Sequence, residues 1–193
     1  MRSTVTLATA LLALGLGLPG SAEEWFLSEF DWGDSLALVD ESVRVSPGFR
    51  CGFVARRCAV VSVDVDGEEL LAQFGYFKGG LYRIRVGTPP LPRSSPHLKR
   101  IWEHLLSFLT REKGAPERAG TFPELAGVRA GDPVVTHVWR FPDQEIHLEV
   151  DRQKGDYRVG AAFLDPVRAA QRRAALERAA GSTPEDEAPR AEK

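Results

Sequence analysis

The chain has 193 residues, with 25 Lys and Arg against 27 Asp and Glu and an apolar fraction of 43%. This near-neutral balance excludes the basic footprint of a nucleic-acid binder, while the apolar fraction suffices for one sizeable core. There is no Asn at all, which excludes Asn-linked glycosylation and any chemistry that requires an Asn side chain.

Residues 1–22 read as a secretory signal peptide. Arg2 precedes an almost unbroken apolar run from Val5 to Leu18, and Gly20-Ser21-Ala22 forms a small-x-small cleavage site. The run is too short for a membrane span and no comparable run follows, so no transmembrane segment is expected after signal removal. No Cys stands at the cleavage point, which argues against a lipid anchor. Removal takes away one basic residue, leaving 24 basic against 27 acidic residues and a formal charge of −3. The expected location is the periplasm or the exterior.

Residues 23–164 are expected to form a single α+β domain. Trp25, Phe26, Phe30 and Trp32 make an aromatic start, and Gly33-Asp34-Ser35 leads into a short helix with Asp34 as its N-cap. From Val43 the pattern turns to β. Cys51 and Cys58 are the two cysteines of the chain. In an oxidising compartment such an isolated pair is expected to form one disulfide, worth roughly 2.5 kcal/mol in the chain-entropy model. A structural metal site would need further ligands that this pair lacks. Arg50, Arg56 and Arg57 surround Phe53 and Val54 on the loop the disulfide would pin, a composition suited to partner binding.

Val61, Val63 and Val65 then alternate with polar residues up to an Asp66-Gly67 turn, and Leu70, Ala72, Phe74 and Tyr76 alternate in the next strand. After Lys78-Gly79-Gly80, Tyr82, Ile84 and Val86 are expected on one face of a third strand, with Arg83 and Arg85 on the other. The proline-rich stretch 88–96 reads as a stiff connector without ladder hydrogen bonds. Leu98, Ile101, Trp102, Leu105, Leu106 and Leu109 repeat at helical spacing until Gly114 and Pro116, marking the main helix. Residues 134–141 and 145–151 form a hairpin in which Phe141 should pair with Gln144, Trp139 with Ile146 and His137 with Leu148. Tyr157, Val159, Ala161 and Phe163 continue the meander.

Asp165-Pro166 caps a helix over 167–180 that is rich in Ala and Arg, with Val167 and Leu176 its only large apolar groups. That helix, within residues 165–181, is expected to be a peripheral, mobile appendage giving at most a salt-sensitive contact with an anionic surface. Residues 182–193 have the composition of a disordered tail. The expected fold is therefore antiparallel meanders of about six strands packed by one short and one long helix. A coarse echo, helix then three strands twice over, suggests two halves sharing one sheet.

Phe30-Asp31-Trp32-Gly33 before a short helix, Gly80-Leu81-Tyr82-Arg83-Ile84 on a strand, Lys113-Gly114-Ala115-Pro116 at a helix exit and a later Trp139 strand recur in this order in a type of small exported bacterial α+β protein. The chain resembles that type over about residues 25–164, with Lys113 where those proteins carry Tyr. The resemblance implies an envelope location and a layout related to β-lactamase-inhibitor-like and outer-membrane-assembly-lipoprotein modules, which bind proteins.

Gly33-Asp34-Ser35-Leu36 resembles the nucleophile block of the GDSL hydrolases. Such enzymes complete their oxyanion hole with an Asn, and Asp143 stands one residue too far from His147 for their Asp-x-x-His block. Ser35 is thus better read as part of a helix N-terminus. His104 is expected to be solvated, His147 to face outward between Glu145 and Glu149, and His137 to be a core histidine beside Trp139. Asp64/Asp66 and Glu68/Glu69 read as a solvated turn rather than a glycosidase dyad, and Pro89-Pro90-Leu91-Pro92-Arg93 as a connector rather than a polyproline ligand. No catalytic, cofactor-binding or metal-ligating residue is expected. The functional expectation is a non-enzymatic, exported binding module whose partner is an envelope protein or an anionic surface.

Overall fold

The computed structural model describes residues 29–45, 49–54 and 57–181, of which 51–60, 180 and 181 are described by backbone alone. The expected signal peptide 1–22, the tail 182–193, Arg56, and the side chains of Cys51, Phe53, Val54, Arg57 and Cys58 fall outside the described residues. The elements are α1 (Leu36–Val45), β1 (Phe49–Val54), β2 (Arg57–Val65), β3 (Glu68–Phe77), β4 (Gly80–Gly87), α2 (His97–Lys113), β5 (Val134–Arg140), β6 (Glu145–Gln153), β7 (Asp156–Leu164) and α3 (Pro166–Gly181). Seven strands form one antiparallel sheet in the order β1-β2-β3-β4-β7-β6-β5. Two meanders, β1 to β4 and β5 to β7, thus meet at the β4–β7 seam. Among the described residues, no helix is long and apolar enough to cross a membrane.

Local chemistry accounts for most boundaries. Asp66-Gly67, Lys78-Gly79 and Lys154-Gly155 all take positive φ at both positions, the geometry of two-residue hairpin turns matching strand twist. Gly114 ends α2 at φ 82°, its N–H donating to the Thr110 carbonyl. At α3 the Asp165 carboxylate accepts the N–H groups of Val167 and Arg168 at 2.9 and 3.1 Å, as expected of an N-cap.

The core lies on one face of the sheet. Leu98, Ile101, Trp102, Leu105, Phe108 and Leu109 of α2 are buried against Val86, Ile146, Leu148, Val159, Ala161 and Phe163, while Val39 and Val43 of α1 cover β1 and β2. The apolar stripe of α2 is the one read from the sequence, with Phe108 added and Leu106 only partly buried. The hairpin keeps its expected register from His137–Leu148 to Phe141–Gln144.

Five details depart from expectation. The first helix continues to Val45, so Val43 is a buried helical residue rather than a strand start, and the unforeseen β1 brings the count to seven strands. Ser35, not Asp34, caps α1: its Oγ accepts the Leu38 N–H at 3.4 Å, whereas Asp34 accepts from Asp31 and tightens the preceding turn. Leu91 exchanges backbone hydrogen bonds with Tyr157 at 2.8 and 2.7 Å, so the connector is pinned to the sheet despite its prolines. His104 bonds the Val65 carbonyl at 3.0 Å instead of facing solvent alone. Tyr82 lies opposite to Ile84 and Val86. Tyr76 pairs with Leu81 and Gly75 with Arg83, so Tyr82 is the extra residue of a bulge, turned away from the core toward α3.

Candidate functional site

The face of the sheet opposite α2 begins as alternate residues of three strands. β4 contributes Arg83 and Arg85; β6 contributes Glu145, His147, Glu149 and Asp151; between them β7 presents Arg158, Gly160 and Ala162. Small residues at 160 and 162 let the two arginine side chains cross over β7 and meet the carboxylates of β6. A Cβ at Gly160 would stand 2.8 Å from the Arg85 guanidinium carbon, so only glycine leaves room for that crossing.

The resulting network is dry at its centre. Arg85 Nε donates to Glu149 Oε1 at 2.9 Å, Arg83 also donates to Glu149, and Arg158 grips Asp151 through two bonds of 2.8 Å. Arg85 is 3% exposed and Glu149 2%. Burial pulls the Arg85 guanidinium below the usual arginine value, while Glu149 and Asp151 pull it back up. Two of its donors stay unused: Arg83 Nε and Arg85 Nη2 are buried without a hydrogen-bond partner, the latter 3.7 Å from Asp151. Buried ion pairs seldom outperform a packed apolar cluster in stability, and orphan donors make this one poorer still. Stability alone does not account for it.

Helix α3 forms one wall beside this floor. The Asp165 N–H donates to the Tyr82 carbonyl, Arg172 lies 5.5 Å from the centre of the bulged Tyr82 ring, and Arg168 pairs with Asp165 at 3.2 Å beside Gly33 and Gly80. Val167 and Leu176 remain 64% and 53% exposed, so the helix sits at the periphery and is held by polar contacts more than by apolar burial. The opposite wall comes from Arg118, Asp132 and Pro133. Between the walls runs a groove of about 640 Å³ with Val135, Val138, Leu164 and Leu176 as its apolar surface. Arg83, Arg118, Arg140, Arg172 and Arg173 line it against Asp132, Glu145 and Glu149.

Not all of this charge is available. Arg140 pairs with Glu117 and Glu145, and Glu145 also meets His147 Nε2. Burial pushes the Glu145 carboxyl up, but His147 and Arg140 outweigh it and leave the group below its ordinary value. Arg172 has only the Tyr82 ring, and Arg173 has no ion-pair partner among the described residues. Among the described residues the groove arginines without a carboxylate partner are therefore Arg172 and Arg173 on α3 and, across the groove, Arg118, which donates to the Val135 carbonyl at 3.0 Å.

A second cleft of about 320 Å³ lies between α1 and strands β2 and β3, lined by Leu36, Val39, Val43, Val61 and Phe74. Tyr76 also lines it with a buried hydroxyl lacking a partner, and burial, then Asp34 and Asp40, push this phenol up to about 12.

The residues singled out from sequence are scattered. Ser35 is exposed and its hydroxyl serves the α1 N-terminus. Arg50 lies on β1 at the sheet edge, 3.6 Å from Glu69, far along the strand order from the groove. In backbone register Cys51 faces Val61 and Cys58 faces Phe53. His137 is 4% exposed, bonded to Thr136 Oγ1 at 3.1 Å between the rings of Trp102 and Trp139, and burial lowers its pKa. Asp66 pairs with Arg111 and Glu68 with Arg100 at the turn they flank. Among the described residues no group of three or more His, Cys, Asp or Glu side chains is placed to hold a metal ion.

His147 alone of these enters the groove. Sequence reading missed the Arg83–Arg85–Glu149–Asp151 cluster, although its signal was present as charged residues alternating along two strands. No family model, curated protein or solved structure matches the chain.

Proposed function

We propose that the protein is a non-enzymatic, exported binding module of the cell envelope that holds a partner in the groove between α3 and the sheet. The carrying observation is the groove itself: a floor on which Arg83 meets the buried Glu149, flanked by a helix whose Arg172 and Arg173 have no carboxylate partner among the described residues. Binding surfaces commonly combine arginine with aromatic and aliphatic groups in this way. The signal-like segment 1–22 and the layout resemblance to protein-binding envelope modules support the same reading. Ser35 gives less support to a hydrolase, because its hydroxyl caps a helix.

The test is site-specific photocrosslinking of the mature chain in the envelope fraction of the cells that make it. A photoreactive residue at Leu176, in the groove, should yield one discrete adduct that high salt suppresses. The same residue at Lys99, exposed on the opposite side, should not. Equal labelling at both positions, or none at Leu176, would overturn the assignment.

A further inference from the structure

The groove's shape and its distribution of charge narrow the kind of partner it takes, granted that it is the binding site. The trough crosses β4, β7, β6 and β5, three gaps of about 4.8 Å, or roughly 14 Å in all, the span of four to five extended residues at about 3.3 Å each. A compact ion would leave most of the 640 Å³ empty. The two sides differ in charge. Away from α3, Arg83, Arg118 and Arg140 are matched in number by Glu149, Asp132 and Glu145, so this side offers no net positive charge to hold a multiply charged phosphate. A neutral acceptor such as a peptide carbonyl needs none. On the α3 side, Arg172 lies over the Tyr82 ring at 5.5 Å and is exposed, as is the adjoining Arg173, and a guanidinium held on a ring suits a planar carboxylate.

We infer that the occupant is an extended acidic peptide segment of four to five residues in a partner protein, with its Asp or Glu side chains on Arg172 and Arg173 and its backbone over the sheet. Leu176 and Val135 contribute apolar contact for alternate side chains. A flat anionic lipid surface satisfies the arginines of α3 but cannot enter the trough, so it uses none of the floor.

The deciding experiment exposes the mature chain to an array of pentapeptides that vary in the number of Asp and Glu residues, and in parallel to vesicles containing phosphatidylglycerol. Retained peptides should carry two or more acids, their Gln and Asn counterparts should bind at least tenfold more weakly, and Arg172→Glu with Arg173→Glu should abolish retention. Circular dichroism checks that the double variant folds. If it does not, Arg173→Gln alone, at an exposed position, should still weaken binding severalfold. Retention without acidic enrichment, or vesicle binding with no peptide retained, would overturn the inference. If Leu176 crosslinks a protein partner while no acidic peptide binds, the partner's chemistry is wrong but the binding site stands; if Leu176 labels nothing, the site itself is wrong.

Discussion

The two faces of the sheet are built on opposite principles. Toward α2, alternate residues are Ile, Leu, Val and Phe, closed over by a helix whose six buried side chains leave Leu105 and Ile101 about 1% or less exposed. Toward α3, alternate residues are Arg, Glu, Asp and Gly, and the helix beside them brings arginines instead of leucines. The first face is held by apolar burial, which is additive and forgiving of detail. The second depends on each charge finding its counterpart in a poorly hydrated place, and it forgives little. A protein that needed only stability would gain from building both faces alike.

Four measurements sharpen this contrast. Glu149→Ala should have the largest effect, about 3 to 5 kcal/mol, because it strands Arg85 without its closest anion. Arg85→Met combined with Glu149→Leu should recover most of that loss in urea unfolding, since two buried charges leave together. If the double variant is as unstable as the single one, the network is a structural keystone and the contrast between faces fails. On the other face, Leu105→Ala should cost about 2 to 5 kcal/mol through lost burial and a residual cavity, against under about 0.5 for Lys99→Ala. Indistinguishable unfolding midpoints for these two would break the assignment of the core.

Truncation after Leu164 should cost only about 1 to 2 kcal/mol, because it removes a backbone hydrogen bond and a cation–ring contact to Tyr82 but little apolar burial. Cooperative unfolding lost in the truncated chain would show that α3 is integral to the fold. The smallest effect concerns His137. Its folded-state pKa lies below the ordinary value of about 6.5, so the unfolded chain takes up the proton first. Stability from this residue is intact above about pH 6.5 and declines as acid is added below it. His137→Phe, which retains a ring between the two tryptophans, should flatten the melting temperature between pH 7.5 and 5.5 relative to wild type. An unchanged slope would show that His137 titrates as it does in the unfolded chain.

The hairpins and the main helix were legible because their signals are local. Asp66-Gly67, the stripe Leu98 to Leu109 and the pairing of Trp139 with Ile146 each depend on residues close along the chain, and turn geometry transmits one strand's register to the next. Two errors arose where local patterns mislead. Val43 belongs to a helix and to an alternating pattern equally well, and packing against β1 and β2 settled the choice. The Tyr82 bulge leaves no mark on the alternation of β4, since it becomes visible only in the pairing with β3.

By itself, then, the amino-acid sequence determined the α+β class, the amphipathic helix that closes the core and the turns that order each meander, all consequences of periodicity and of residues that accept special backbone angles. Only the tertiary structure decided that β4 lies beside β7. That seam carries Arg83 and Arg85 to Glu149, across 66 and 64 positions of chain, and sets α3 beside the result. Periodicity told which face of each strand the charged residues occupy, but not which strands become neighbours. Ion pairing acts over a few ångströms, so the site did not exist until the two meanders met.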